Sequence, residues 1–175
     1  MKSDILIVLG SKSDYKIVER GLNILDKMEC PYELRIASAH RSFNHLHSIV
    51  QNFENNHGKM IICVAGKSAH LGGVVAAITL KPVFCVPVYN AATSGMDALL
   101  SMSQMPQGIP TATMGFGGSG FANACLQSLQ ILALNSPELT KKLKEYRLEQ
   151  ESQVKSDDKE YQRQSITSHE SRTST

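Results

Sequence analysis

The decapeptide IASAHRSFNH, residues 36–45, sets a proton-moving side chain, His40, directly before an anion-gripping one, Arg41. Ser38, two residues earlier, could add a hydroxyl to a phosphate held by the Arg41 fork. The same residues also read as a capped helix start with a solvated arginine and a part-buried structural histidine. A second group, GSKSD at residues 10–14, offers Ser11 and Ser13 as hydroxyl donors to a phosphate and Asp14 as an acceptor for a sugar diol. Its plain alternative is a helix N-cap. It is neither GxGxxG nor a Walker loop, so a dinucleotide or P-loop reading has little support. A third group, AGKSAHLGG at residues 65–73, carries Gly66, Lys67, Ser68 and His70, with glycines that let a ligand approach the backbone. Further on, two prolines and a glycine around Gln107 make residues 105–110 a semi-rigid loop, read as a lid or as an ordinary helix-to-strand connection.

These groups gain weight from what precedes them. Runs rich in Ile, Val and Leu recur at residues 5–9, 32–36, 60–64, 82–88 and 110–113, each alternating with a segment of helical periodicity. Continuous apolar runs of this length suit strands buried on both faces of a parallel sheet. The fold class expected is α/β, a three-layer α/β/α sandwich. In such a sheet ligands bind beyond the carboxyl ends of the strands, which is where the polar groups fall. Core helices are expected from DYKIVERGLNILDKM, through Ile17, Val18, Leu22, Ile24 and Leu25, and from SFNHLHSIVQNF, through Phe43, Leu46, Ile49, Val50 and Phe53. SAHLGGVVAAITL is small and apolar almost all round, which suggests burial by another subunit. In NSPELTKKLKEYRLEQ, Ser136 is the expected N-cap, Pro137 the first helical residue, and Leu139, Leu143 and Tyr146 an apolar stripe.

A chain of 175 residues suits one domain with a sizeable core. We expect residues 1–155 to form it and the polar residues 156–175 to be a mobile tail, because they offer too little apolar surface to offset ordering entropy. A net charge of +2 argues against recruitment of nucleic acid or an anionic membrane, so any anion must be bound locally. Cys30, Cys63, Cys85 and Cys125 lack metal-ligand spacing and read as reduced core residues, which points to the cytoplasm. The first apolar run is too short for a signal peptide, and no run approaches membrane-spanning length.

Taken in order, GSKSD, SAHR, SAHLGGVVAA, SGMDALLSMSQMPQGIP and GFANACLQSLQILAL resemble the N5-carboxyaminoimidazole ribonucleotide mutases, a family of small carboxylase-type enzymes of de novo purine synthesis. The resemblance runs from residue 5 to about residue 146. It implies a flavodoxin-like subunit of a homo-octamer, with active sites at subunit contacts. It also implies no metal, biotin or nucleoside triphosphate, and a functional link to the ATP-dependent synthetase that makes the substrate. Family positions matching Ser11, Asp14 and Arg41 bind the ribonucleotide, and the one matching His40 transfers the proton. A second class in the family carboxylates aminoimidazole ribonucleotide directly with carbon dioxide. Arg41 and His70 follow the mutase pattern, whereas Lys67 and Ser68 depart from the Gly-Ala usual there and lean toward the second class; Gly72 replaces a usual proline.

With those positions, the chemistry of the remaining polar groups completes the expected site: catalysis by His40 and His70, and substrate binding by Ser11, Ser13, Asp14, Ser38, Arg41, Gly66, Lys67 and Ser68. The carboxylate would leave the exocyclic nitrogen as carbon dioxide and be captured by ring carbon C4, with the 105–110 loop excluding water. Two readings from other classes stay open. A response-regulator-like domain needs an acidic cluster after the first strand, where only Asp14 is offered. A non-catalytic flavin- or nucleotide-binding module has no use for a proton-transfer histidine.

Overall fold

The computed structural model describes residues 3–173, with side chains described to residue 162, as two compact units, one running to Ile131 and one from Leu132. The first holds five parallel strands: β1 (Ile5–Leu9), β2 (Tyr32–Ile36), β3 (Met60–Gly66), β4 (Val83–Val88) and β5 (Ala112–Thr113). Their order across the sheet is β2-β1-β3-β4-β5, the flavodoxin-like arrangement. Crossovers run through α1 (Tyr15–Lys27), α2 (Phe43–Asn55), α3 (Leu71–Ile78) and α4 (Met96–Ser103), and α5 (Gly117–Ala133) follows β5.

All five residues of β1 are buried, which is why ILIVL has no polar alternation: each face of this inner strand is covered by helices. Its pleat sends Leu6 and Val8 into one core with Ile61, Cys63, Val83 and Cys85, beneath α2, α3 and α4. On the other face α1 meets α5 so closely that a Cβ at Gly21 would strike the Phe121 ring. β2 differs from the expectation of two-sided burial. It lies at the sheet edge, only half-buried, and its Glu33 and Arg35 pair at 2.7 Å along the strand.

The stretch 60–66 positions the site most directly. Strand β3 pairs with β1 through Met60 to Val64 and with β4 through Ile61 to Gly66, in register Cys63 to Cys85. Gly66 lets β3 and β4 pack closely there, since a Cβ would come within 3.1 Å of Val88 Cβ. Helix α3 is small-residue and close-packed, as its sequence suggests, yet within one chain only Leu71, Gly72 and Val75 are buried. The following Leu80 is fully exposed, at 101%.

In the second unit α6 (Pro137–Thr173) begins where Ser136 predicts, with Leu139 N–H donating to Ser136 Oγ at 3.2 Å. The helix continues well past Ser156. Its continuation carries local i,i+4 contacts, including Lys155–Glu151 and Gln153 Nε2 to Asp157 Oδ1 at 2.7 Å, and no proline or glycine to stop it. Ser174 and Thr175, the end of the segment read as a tail, lie outside the described residues. Among the described residues no helix is long and apolar enough to cross a membrane.

Candidate active site

A cleft of about 600 Å³ opens at the carboxyl ends of β1, β2, β3 and β4. Every residue nominated from the sequence lines it: Ser11, Ser13 and Asp14 after β1; Ser38, His40 and Arg41 after β2; Gly66, Lys67, Ser68 and His70 at and after the end of β3. The volume is that of an ordinary small-molecule pocket.

The β1 loop tightens into a single 3₁₀ turn, residues 12–14, before α1 starts. Ser11 caps it, accepting from Ser13 N–H at 3.3 Å. The Ser13 hydroxyl stands 2.8 Å from Ser11 Oγ and 3.1 Å from Asp14 Oδ1, so the two serine hydroxyls and the carboxylate form one network whose two hydroxyl protons can be redirected toward an incoming anion. Asp14 is only 8% exposed. Burial pushes its carboxyl above the ordinary value, and the bonds from Ser13 and the Ser11 backbone only partly oppose this.

The β2 loop is fastened to the start of α2 by Ser42, whose hydroxyl receives Ser38 N–H at 2.9 Å and donates to Ser38 O at 3.2 Å. Ser38 Oγ in turn accepts Arg41 N–H at 3.3 Å and lies 3.5 Å from Arg41 Nε. The capped helix and the anion-binding fork are therefore compatible readings of one turn. The guanidinium is exposed and has no carboxylate partner among the described residues.

Although 30 residues separate them, His40 Nε2 and His70 Nδ1 stand 2.8 Å apart, with rings edge to face at 75°. His70 occupies the N-cap position of α3 but makes no capping bond with its side chain, which leaves its imidazole to His40. One of the two facing nitrogens must donate and the other accept. His40 Nδ1 keeps no partner among the described residues, and neither do the Lys67 ammonium and His70 Nε2.

Seven lining residues were not nominated from the sequence, Gly10, Ala39, Ala65, Leu71 and Val88 among them, and two carry polar side chains. Tyr89 and Asn90 close the cleft at the end of β4, and Tyr89 is 60% exposed. Asn90 is a scaffold: its Nδ2 lies within about 3 Å of both Asp97 carboxylate oxygens and of Thr93 Oγ1, and its Oδ1 accepts Ala92 and Thr93 N–H. A side-chain bond from Thr93 to Asp97 first, then Ala98 N–H and Asn90, hold the Asp97 carboxyl below its ordinary value against the opposing effect of burial.

Within one chain the 105–110 loop does not act as a lid on this cleft, and the reading of an ordinary helix-to-strand connection describes it. No residue from 105 to 110 lines the cleft. Helix α4 returns the chain to the amino ends of the strands, and Gly108, Ile109 and Pro110 line a second cavity of about 540 Å³ with Pro82, Val83 and Leu80. That is the opposite end of the sheet.

Comparison with known proteins follows the same lines. The sequence model of a family described as AIR carboxylase matches residues 4–153. A Methanocaldococcus jannaschii protein named N5-carboxyaminoimidazole ribonucleotide mutase is 46% identical over 154 residues, covering 88% of this chain and 94% of its own. The Escherichia coli protein of that name is 43% identical over 150 residues, covering 86% and 89%. Treponema denticola PurE, a solved structure, superposes with a TM-score of 0.80 at 27% identity over 89% of this chain and 96% of its own.

Proposed function

The chain belongs to the AIR carboxylase family, and from that premise we propose that its cleft isomerises N5-carboxyaminoimidazole ribonucleotide to 4-carboxy-5-aminoimidazole ribonucleotide in purine biosynthesis. The observation that carries this reading is the 2.8 Å contact of His40 with His70 in a cleft that also holds hydroxyls and an unpaired guanidinium. A flavin-binding wall or a phosphoacceptor site has no need of paired imidazoles.

In the proposed reaction the N5–carboxylate bond breaks, carbon dioxide departs, and the electron pair stays on N5, which takes a proton. Ring carbon C4 then attacks the confined carbon dioxide and afterwards loses its own hydrogen to restore aromaticity. Confinement replaces a bimolecular encounter. His40 Nδ1, the nitrogen not engaged by His70, both delivers the first proton and removes the second. In its acid form the pair carries three protons on four ring nitrogens; after delivery it carries two, shared so that Nδ1 of His40 is bare and ready to accept. His70 thus sets which nitrogen of His40 acts. Ser11, Ser13 and Arg41 hold the phosphate with help from Ser38, Asp14 binds the ribose hydroxyls, and the Gly66–Ser68 backbone faces the carboxylate end.

We further read the enzyme as a cytoplasmic homo-octamer without a cofactor. Exposed Ala77 and Leu80 at the end of α3 support self-association, and the N-carboxylated substrate requires an ATP-dependent synthetase to supply it. Direct carboxylation of aminoimidazole ribonucleotide is the second reading, favoured by Lys67 and Ser68 in the cleft wall. One assay decides between them: supply the N-carboxylated ribonucleotide, or aminoimidazole ribonucleotide with bicarbonate, and follow the 4-carboxy product. Faster product formation from the free amine at modest bicarbonate would overturn the mutase reading.

A further inference from the structure

The cleft lining contains two side chains with a fixed positive charge, Arg41 and Lys67, and one carboxylate, Asp14. Lys67 is the less expected cation. Its φ is +58°, in the left-handed region that favours glycine and costs an ordinary side chain roughly 1 kcal/mol. It is exposed, and no acid or hydroxyl pairs with it among the described residues, so no contact within the chain accounts for a lysine there.

We infer that Lys67 selects carboxylated ribonucleotides over their uncarboxylated parent, by offering its ammonium to the carboxylate that is moved; this rests on the substrate class proposed above. Such a ligand has two anionic ends, a phosphate and a carboxylate, and the lining supplies one cation for each. The hydroxyls of Ser11, Ser13 and Ser38 belong to the β1 and β2 loops, as does Arg41, and together they form the phosphate side. Lys67 shares its loop with His70 instead. The turn between them is closed by His70 N–H donating to Ser68 O at 2.9 Å, and His70 reaches His40. The backbone that carries Lys67 is thereby tethered to the imidazole side, which puts its ammonium within a side chain's reach of where the carboxylate leaves one atom and joins another. Because substrate and product both carry that carboxylate, the contact acts on binding at both ends of the reaction, and its loss falls on KM more than on kcat.

The test is calorimetric titration of wild-type, Lys67→Gln, Lys67→Arg and Lys67→Gly proteins with 4-carboxy-5-aminoimidazole ribonucleotide and with aminoimidazole ribonucleotide. Lys67→Gln is expected to weaken the carboxylated ligand by about tenfold to a hundredfold and the parent by less than about twofold, the loss of one charge-assisted contact. Lys67→Arg should restore most of the difference. Lys67→Gly should lose the same selectivity without melting below wild type, since its backbone suits the site. Equal weakening of both ligands would assign Lys67 to the phosphate, and unchanged binding of both would make it a solvated lysine; each result overturns the inference. If the wild-type protein binds neither ribonucleotide, the substrate class itself fails, a result visible before any variant is made.

Discussion

His70 Nδ1 meets His40 Nε2 at 2.8 Å from a loop on the neighbouring crossover, so the free nitrogen of His40 is set by a residue in another part of the chain. Replacing His40 with Asn should lower kcat by about a hundredfold to ten-thousandfold, the range for loss of a positioned acid–base group. The dissociation constant for product should change only a few-fold. His70→Asn should give a smaller fall in kcat and an altered pH profile, because the ring it orients is still present. Stopped-assay turnover set beside calorimetric binding checks both, and parallel loss of binding and turnover in His40→Asn would make the histidine a binding residue.

Asp14 makes stability and binding oppose each other. Burial raises its carboxyl above the ordinary value, so the unfolded chain holds the ionised form more readily than the folded one. The stability that follows is present in acid, below the unfolded value, and is lost as pH rises through the folded value. Asp14→Asn is therefore expected to melt above wild type at pH 7, with the difference disappearing as both are taken below the usual carboxylate range. Ribonucleotide binding should fall by about tenfold or more over the same substitution. A melting difference that grows in acid would contradict the burial argument.

Gly72 lies where a Cβ would collide with Cys85 Sγ, in a region with no exposed atom to yield. Gly72→Ala should destabilise by about 1–3 kcal/mol through overpacking. Adding Cys85→Ala removes the sulfur and leaves the new methyl 3.4 Å from the Cys85 Cβ, an ordinary contact. The double variant should then be more stable than the sum of the two singles, measurable by urea denaturation as a favourable coupling.

The four cysteines are all free and buried, and burial pushes each thiol up: Cys30 to about 11, aided by the Asp4 charge, and Cys85 to about 12, with Cys63 and Cys125 raised as well. A thiol-reactive dye at pH 8 should label the native protein slowly, Cys30 first, and all four on unfolding. Prompt labelling of Cys63 in the native state would mean that the inner strands open.

The strands were legible because ILIVL, MIICV and VFCVPV have nothing polar to place outside, a pattern that only two-sided burial explains. The site was legible because its residues follow those strands directly, so that knowing the sheet is parallel gathers them at one end. What composition could not convey was direction. Residues 105–110 have the prolines and glycine of a lid, but α4 carries them to the far end of the sheet before β5 begins. Asn90 was passed over because its role is made by bonds to Thr93 and Asp97, which no local spacing announces. Edge strand β2 misled for a related reason: at the margin of the sheet its faces are only partly covered, so Glu33 and Arg35, two residues apart on one face, can pair in reach of solvent.

Among the described residues of the unit that runs to Ile131, the cleft draws its lining from Gly10 to Asn90. In the unit that runs to Ile131, the residues after Asn90 thus act on their own pocket only at one remove, as Thr93 and Asp97 do by steadying Asn90. Any reagent-like group among those later residues would have to serve the pocket of an adjoining copy, which makes mixed assemblies of complementary inactive variants a sensitive way to find one.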